Sequence, residues 1–366
     1  MKLTGIVVEY NPFHNGHKHH IQQALELTKP DGLIAVMSGN FVQRGEVAMI
    51  DKWQRVEMAL QNGVDLVVEL PYIYATQSAS QFAYGAITTL KMCQIQHLVF
   101  GSESNDLTTL KEIANLTIKP DYLKEQMDDG SSYPKSISIL QGSYGSNDIL
   151  GICYLKELLG TNIQAHCIQR TNNYHDLDIS QKIASASAIR HAVYHQEEVK
   201  HTTDQPFKHP IFMDSFYSHL RLLLLTLPKE YLQSIFLVQE GIEHHLYRQA
   251  LLYNHYQDFI AHAITRRYTK ARIQRTCLAI LNQITKQQVQ QLEPLNHIRV
   301  LGFNKKGQTI LKHLKQLGIP ICTRFKDIPK DYRDLEFKTT LTYASILPKE
   351  IQEDLIQKEI GYIVIK

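Results

Sequence analysis

A chain of 366 residues, 43% hydrophobic and 20% charged, can hold one large domain or two ordinary ones and is too apolar for intrinsic disorder. Net charge is only +3, and the five cysteines (Cys93, Cys153, Cys167, Cys277 and Cys322) are scattered and form no C-x-x-C pair, which argues against a disulfide framework and against bound zinc. No 18-residue apolar run exists, and the N-terminus carries a strand pattern where a signal peptide would need a basic start and an apolar helix, so a cytoplasmic protein with no membrane partner is expected.

The β-branched run Ile6, Val7, Val8 reads as a buried strand that stops at Asn11-Pro12, where proline cannot donate to a ladder. Ile21, Ala24, Leu25 and Thr28 then fall at helical spacing, so a helix is expected to start near His17. Further buried strands are predicted at Gly32–Ser38, Val64–Leu70, His97–Phe100 and Asn162–Ile168. Helical patterns lie between them, at Asp51–Leu60, Ser78–Met92 and Ile149–Leu159. This alternation predicts parallel βαβ units, a Rossmann-like α/β core whose ligand sits beyond the carboxyl ends of the strands. That rule gathers His14, Gly39, Gly101 and Arg170 around one crevice.

The polar, proline-containing stretch Thr202–Pro210 reads as a boundary. It divides the chain into a nucleotide-binding domain, 1–200, and a mainly helical, basic region, 211–366, that ends in a small α/β tail with strands at His297–Leu301 and Ile319–Cys322. Between Ala261 and Lys326 stand 13 Lys and Arg residues and one acid, Glu293. Such an excess is the footprint of a polyanion partner, although a solvated basic face is the plainer alternative.

The strand, short loop and helix start at Glu9–His17 form a geometry that offers free backbone N–H groups and a positive dipole end to an anion. His14 and His17 add side-chain donors, and Gly16 lets the backbone approach closely. His14-Asn-Gly-His17 resembles the H-x-G-H signature of the nucleotidyltransferase superfamily, whose members transfer adenylyl groups without a P-loop. Ser185-Ala-Ser-Ala-Ile-Arg190 resembles that superfamily's second signature, with Ala186 where a hydroxyl residue is usual; read alone, it is an ordinary helix start capped by Ser185.

The longer string Glu9-Tyr-Asn-Pro-Phe-His-Asn-Gly-His17 resembles the bacterial tRNA(Met) cytidine acetate ligases. So do Ser38–Glu46, Asp51–Arg55, Asp65–Pro71, Tyr74–Ala79, Phe100–Glu103, Ser146–Gly151, Asn173–Asp176 and Arg299–Asn304, which together span most of the chain. The resemblance implies that ATP is bound by Val7, Val8, Glu9, Tyr10, Asn11, Pro12, Phe13, His14, Asn15, Gly16, His17, Lys18, His19 and His20, with Gly101, Asn147, Arg170 and Ser187. His14, His17 and Arg190 are the implied catalytic residues. Family members often carry a second asparagine where this chain has Asp148. The implied reaction joins acetate to ATP as acetyl-adenylate and passes the acetyl group to the wobble cytidine of elongator tRNA(Met).

Arg266, Arg267, Lys270, Arg272 and Arg275, followed by Lys305 and Lys306, are the expected contacts to the tRNA phosphates. Mg2+ is expected only through the ATP phosphates. The P-loop-like spacing of Gly302–Thr309 has Gln308 in place of the essential lysine, and His14, His17, His19 and His20 lack a carboxylate or cysteine to complete a metal set. Two alternatives stand beside this reading. One is an adenylyltransferase for a small phosphorylated metabolite, a class usually shorter and without a basic appendage. The other is a non-catalytic RNA-binding scaffold, against which the intact His14, Gly16, His17 and Arg190 argue.

Overall fold

The computed structural model describes residues 1–116, 144–170 and 178–366. The first half alternates strands and helices: β1 (Leu3–Val8), α1 (Asn15–Thr28), β2 (Gly32–Ser38), the hairpin strands β3 (Phe41–Val42) and β4 (Glu46–Val47), α2 (Lys52–Gln61), β5 (Leu66–Leu70), α3 (Tyr72–Ala75), α4 (Ala79–Met92), β6 (His97–Ser102), α5 (Leu107–Asn115), α6 (Ser146–Leu158), β7 (Gln164–Gln169) and α7 (Ala186–Tyr194). Helices then follow one another as α8 (Tyr217–Thr226), α9 (Lys229–Ser234), α10 (Ile242–Leu252), α11 (Tyr256–Ala263), α12 (Lys270–Leu281) and α13 (Lys286–Gln290). The chain closes with β8 (Ile298–Phe303), α14 (Lys305–Gln316), β9 (Ile321–Cys322), α15 (Lys330–Ala344), α16 (Lys349–Gly361) and β10 (Val364–Ile365).

The main sheet runs β10-β8-β5-β2-β1-β6-β7, with β9 beside β8. Its pairs are parallel except β5 with β8, where Leu66 faces Phe303. The central strands β1, β2 and β5 are mainly apolar on both faces because both faces are covered. Ile6, Ala35, Met37 and Val67 pack in one layer with α1, α2 and helices α8 to α12. Leu3, Ile34, Val36 and Val68 pack in the other with α4, α5, α6 and α14. Helices follow the stretch Thr202–Pro210, and the chain then returns to the same sheet at β8. Leu220, Phe259 and Cys277 of the helical stretch also share one continuous core with Ile6.

Strand β8 is locked in by charge. Lys52 Nζ stands 2.7 Å from Glu69 and 2.8 Å from Glu359, and Arg299 Nη1 stands 2.6 Å from Glu69 and 2.7 Å from Glu359, all buried. Two cations thereby face two carboxylates. A third buried carboxylate, Glu336, accepts from the Tyr72 N–H at 2.7 Å. Its pKa is raised by burial and then by Glu69, which favours the neutral acid and keeps the charges balanced. Removing one member of such a network costs about 3–5 kcal/mol, because a buried charge is left unpaired. Among the described residues no helix is long and apolar enough to cross a membrane.

Candidate active site

The chain leaves β1 toward β2 on one side, and the later strands β6 and β7 add on the other, so a crevice opens beyond the carboxyl ends of β1 and β6. Arg55, wholly buried on α2, holds the strand ends in place: it donates to the carbonyls of Glu9 at 2.6 Å and Ser38 at 3.0 Å, and also to that of Gly39. The backbone then turns sharply. Tyr10 sits at φ 53°, left-handed for a bulky residue, and Asn11 fixes the turn with its side chain. Asn11 accepts from Met49 N at 2.8 Å and donates to Val47 O at 3.3 Å.

Helix α1 starts with a cap built from two imidazoles. His14 Nδ1 accepts from Gly16 N at 3.0 Å, and His17 Nδ1 accepts from His14 N at 3.2 Å. An acceptor nitrogen carries no proton, so each neutral ring must carry its proton on Nε2. Burial, reinforced by Arg170 and Arg190, lowers the pKa of His14 to about 3; burial and then His14 hold His17 well below its ordinary value. Both are neutral Nε2–H donors at physiological pH. A Cβ on Gly16 would lie 2.8 Å from His14 Cε1, so this glycine also makes room for the capping ring.

Across the crevice, Arg170 follows β7 and its Nη1 donates to Asn147 Oδ1 at 3.4 Å. Asn147 in turn donates through Nδ2 to Glu103 at 2.6 Å. A carboxylate only accepts and a guanidinium only donates, so the Asn147 amide has one orientation. Glu103 also accepts from the backbone N–H of Asn147 and Asp148, capping α6, whose Gly145 N-cap has no side chain to do so. Asp148 returns the favour, accepting from the N–H of Glu103 at 3.0 Å and Ser104 at 3.1 Å. Asp148 is thus buried structure, while its neighbour Asn147 lines the crevice.

The second signature closes the ring. Ser185 caps α7 by accepting from Ala188 N at 3.0 Å, and Arg190, one turn on, donates to Asn11 O at 2.8 Å and pairs with Glu46 at 3.0 Å. The hairpin β3–β4 forms the remaining wall: Gln43 N donates to Glu9 Oε1 at 2.7 Å, and Arg44 donates to Ser146 Oγ at 2.9 Å. Helix α12 backs this hairpin. Gly45, at φ 79°, lies so close that a Cβ would meet Arg275 N at 2.3 Å.

The crevice therefore gathers Val7, Val8, Glu9, Tyr10, Asn11, His14, Gly16, His17, His19, His20, Gly101, Asn147, Arg170 and Arg190. Six other residues expected from the sequence lie off its wall; Gly39 is buried behind it, its carbonyl accepting from Arg55. Pro12 sits in the turn, and Phe13 is buried in the core. Asn15 donates to the carbonyls of Lys182 and His201, pinning that segment over α1, and Lys18 pairs with Asp204. Ser187 Oγ stands 3.5 Å from Arg190 Nη2, while Ser185 and Ala186 are the signature residues on the wall. Sequence reasoning gave no role to Gln43, Arg44, Glu46, Glu103 or Tyr154. Their signal was membership of matching stretches for all but Tyr154, with no chemistry attached. The Asn173–Asp176 stretch lies outside the described residues.

The basic residues divide. Arg275, beside the hairpin, stands 3.5 Å from Gln43 O, and Arg267 and Arg272 share Glu240 at 3.2 and 3.0 Å. Arg266 and Lys270 are exposed on the same segment. Arg299 is buried in the charge network and inaccessible to a partner. Lys305 and Lys306 open α14, where Asn304 bonds Asp65 at 2.8 Å, at the amino end of β5 and thus the end of the sheet away from the crevice. No group of three His, Cys, Asp or Glu among the described residues could hold a metal ion.

The chain resembles known proteins over most of its length. Residues 1–359 match the HIGH Nucleotidyl Transferase family. A tRNA(Met) cytidine acetate ligase of Caldanaerobacter subterraneus subsp. tengcongensis is 39% identical over 88% of this chain and 89% of its own. That of Bacillus subtilis (strain 168) is 35% identical over 100% of this chain and 97% of its own. Two crystal structures of Thermotoga maritima TmcAL, one apo and one bound with alpha-thio ATP, superpose with TM-score 0.88 at 33% identity. They cover 100% of this chain and 99% and 100% of theirs.

Proposed function

This chain belongs to the HIGH nucleotidyl transferases and, within them, to the tRNA(Met) cytidine acetate ligases, and from that premise we infer that it joins acetate to a tRNA cytidine in two steps within one crevice. It is an ATP-using ligase. In the first step an acetate oxygen attacks the α-phosphorus of ATP, the bond to pyrophosphate breaks, and acetyl-adenylate forms. In the second, the exocyclic amine of the elongator tRNA(Met) wobble cytidine attacks the acetyl carbon, AMP leaves, and one proton is released.

The observation that carries this reading is the reciprocal His14–His17 cap, which leaves two neutral Nε2–H donors at the start of α1. Adenylyl transfer from an already ionised carboxylate needs no base in its first step, only preorganised donors for charge growing on the α-phosphoryl group and pyrophosphate. His14, His17 and the α1 dipole supply them from one side, Arg170 and Arg190 from the other. Asn147 Oδ1, turned from Glu103, offers an acceptor to a hydroxyl or amine of the nucleoside. Mg2+ would enter with the triphosphate, held by its oxygens. The tRNA is read as lying along Arg266, Arg267, Lys270, Arg272 and Arg275, which lie on α12, the helix that backs the hairpin wall, or on the segment entering it, with Lys305 and Lys306 reachable only by a partner that wraps the sheet. Substrates such as ATP and tRNA fit work in the cytoplasm.

Incubation with ATP, acetate and bulk tRNA, followed by nucleoside mass spectrometry, tests the reading. N-acetylcytidine formed only when all three are present is the expected result. Its absence, with adenylylation of a small phosphorylated metabolite in its place, would overturn it.

A further inference from the structure

The crevice is built for anions, with His14, His17, Arg44, Arg170 and Arg190 on its walls, yet two carboxylates stand among them, Glu9 and Glu46. An ionised carboxylate beside a triphosphate is repelled by it, so each needs a reason to be there. Glu46 has one: its pair with Arg190 at 3.0 Å positions that guanidinium. Glu9 has less to do. Its Oε1 accepts from Gln43 N at 2.7 Å, and no hydrogen bond among the described residues reaches its other oxygen.

The second step has a proton to dispose of. An amine that attacks the acetyl carbon becomes positively charged as the C–N bond forms, and it must lose that proton as the C–O bond to AMP breaks. The histidines cannot accept it. Each has its Nδ1 occupied as an acceptor and its Nε2 already protonated, and burial keeps both reluctant to take a second proton. We propose that Glu9 is the proton acceptor for acetyl transfer, an assignment that rests on the two-step reading above. The cytidine nitrogen donates its proton to the free Glu9 oxygen, the electron pair of the N–H bond stays on nitrogen to complete the amide, and AMP departs with the electrons of the broken acyl C–O bond of the mixed anhydride.

Placement and environment agree. Glu9 follows β1 directly, so its backbone is fixed by Arg55, and its side chain lines the crevice beside the turn that leads to His14. The charged or titratable groups that face it are Arg44 and Glu46 on the hairpin, Arg190 on α7, Arg55 on α2 and Tyr154 on α6. Burial outweighs the cations and raises its pKa, moving it toward the range where a carboxylate is an effective base near neutral pH.

Glu9→Gln separates this role from a structural one, since the amide keeps the shape and can still accept the Gln43 N–H. Two rates are measured: acetate-dependent exchange of labelled pyrophosphate into ATP, and single-turnover transfer of acetyl from preformed enzyme-bound adenylate to tRNA. The expected result is a fall in transfer of about 10²-fold or more, exceeding any fall in exchange by at least about tenfold. The pH profile of the residual transfer loses its acid limb, and Glu9→Asp recovers part of both rate and limb. Transfer near the wild-type rate with an unchanged profile would overturn the proposal. So would a parallel loss of exchange and transfer at an unchanged melting temperature, which would make Glu9 part of nucleotide binding. Failure of the two-step reading looks different: the wild-type enzyme would itself show no acetate-dependent exchange, with or without tRNA.

Discussion

Arg190 Nη1 donates to the backbone oxygen of Asn11 at 2.8 Å, joining two signatures that lie 179 residues apart. The same guanidinium pairs with Glu46 on the hairpin. One side chain therefore ties the turn after β1, helix α7 and the wall opposite them, while remaining on the crevice surface as a cation.

Because Arg190 uses its planar fork in two directions, a lysine cannot replace it. Arg190→Ala lowers acetate-dependent pyrophosphate exchange by about 10²-fold, the usual cost of losing a preorganised charge-stabilising group. Arg190→Lys keeps the charge and still stays below about one-tenth of the wild-type rate, since one ammonium cannot meet both Asn11 and Glu46 in this geometry. Recovery of full exchange in the lysine variant would reduce Arg190 to a point charge.

The imidazole cap yields a test that separates folding from chemistry. His14→Ala loses a helix cap, about 1 kcal/mol, and a donor to the phosphates. His14→Asn restores the cap, because an Asn side-chain oxygen accepts the Gly16 N–H well, but it cannot supply a proton where Nε2–H stood. Melting temperature should recover in the asparagine variant while exchange remains about 10²-fold down. If exchange recovers together with stability, His14 serves the helix and not the reaction.

Much of the frame could be read from sequence. The strands at β1, β2, β5 and β6 are mainly apolar runs ended by proline, glycine or polar residues, and a doubly covered parallel sheet produces that pattern, whereas β7 at the sheet edge mixes polar and apolar residues. The turn at Asn11, the H-x-G-H pair and Arg190 followed from motif chemistry. Three features did not. The hairpin strands β3 and β4 are two residues each, too short for any period to show. Lys52, Glu69 and Arg299 fall in matching stretches, yet nothing in a linear pattern tells a buried charge from a solvated one. Their partner Glu359, and Glu336 close to Glu69, sit on helices whose polar residues look like ordinary exposed faces. The same blindness inflates the basic segment, which includes the buried Arg299 and two arginines already paired with Glu240.

The buried network carries a pH signature. Burial, and then Glu69, raises Glu336 from 4.5 to about 8. A carboxyl whose folded pKa lies above its unfolded value stabilises fully below the unfolded value and loses that contribution as pH rises through the folded one. The wild-type melting temperature should therefore decline between about pH 5 and pH 8. Glu336→Gln, which can still accept the Tyr72 N–H and never ionises, should flatten that decline. Parallel curves for the two proteins would assign the proton elsewhere.

The division of the basic residues between two ends of the sheet makes the tRNA surface testable by position. Arg266, Arg267 and Lys270 are exposed on the segment entering α12, the helix that backs the hairpin wall, whereas Lys305 and Lys306 open α14 at the amino end of β5. Removing one ion pair with an RNA phosphate should lower the slope of log K against log salt by about 0.7–0.9, so charge reversal of the first trio should weaken tRNA binding and flatten its salt dependence. Acetate-dependent exchange should change little, because none of the three lines the crevice. Reversal of Lys305 and Lys306 should have the smaller effect on the slope if the tRNA meets the enzyme mainly at the crevice side. The measurement is a salt titration of tRNA binding for the wild type and both variants, run beside the exchange assay. Equal affinity and slope for the wild type and the trio variant would remove 266–270 from the tRNA surface. A larger effect from the lysine pair would mean that the RNA approaches from the opposite end of the sheet, and that its wobble base reaches the acetyl group by a path other than the hairpin side.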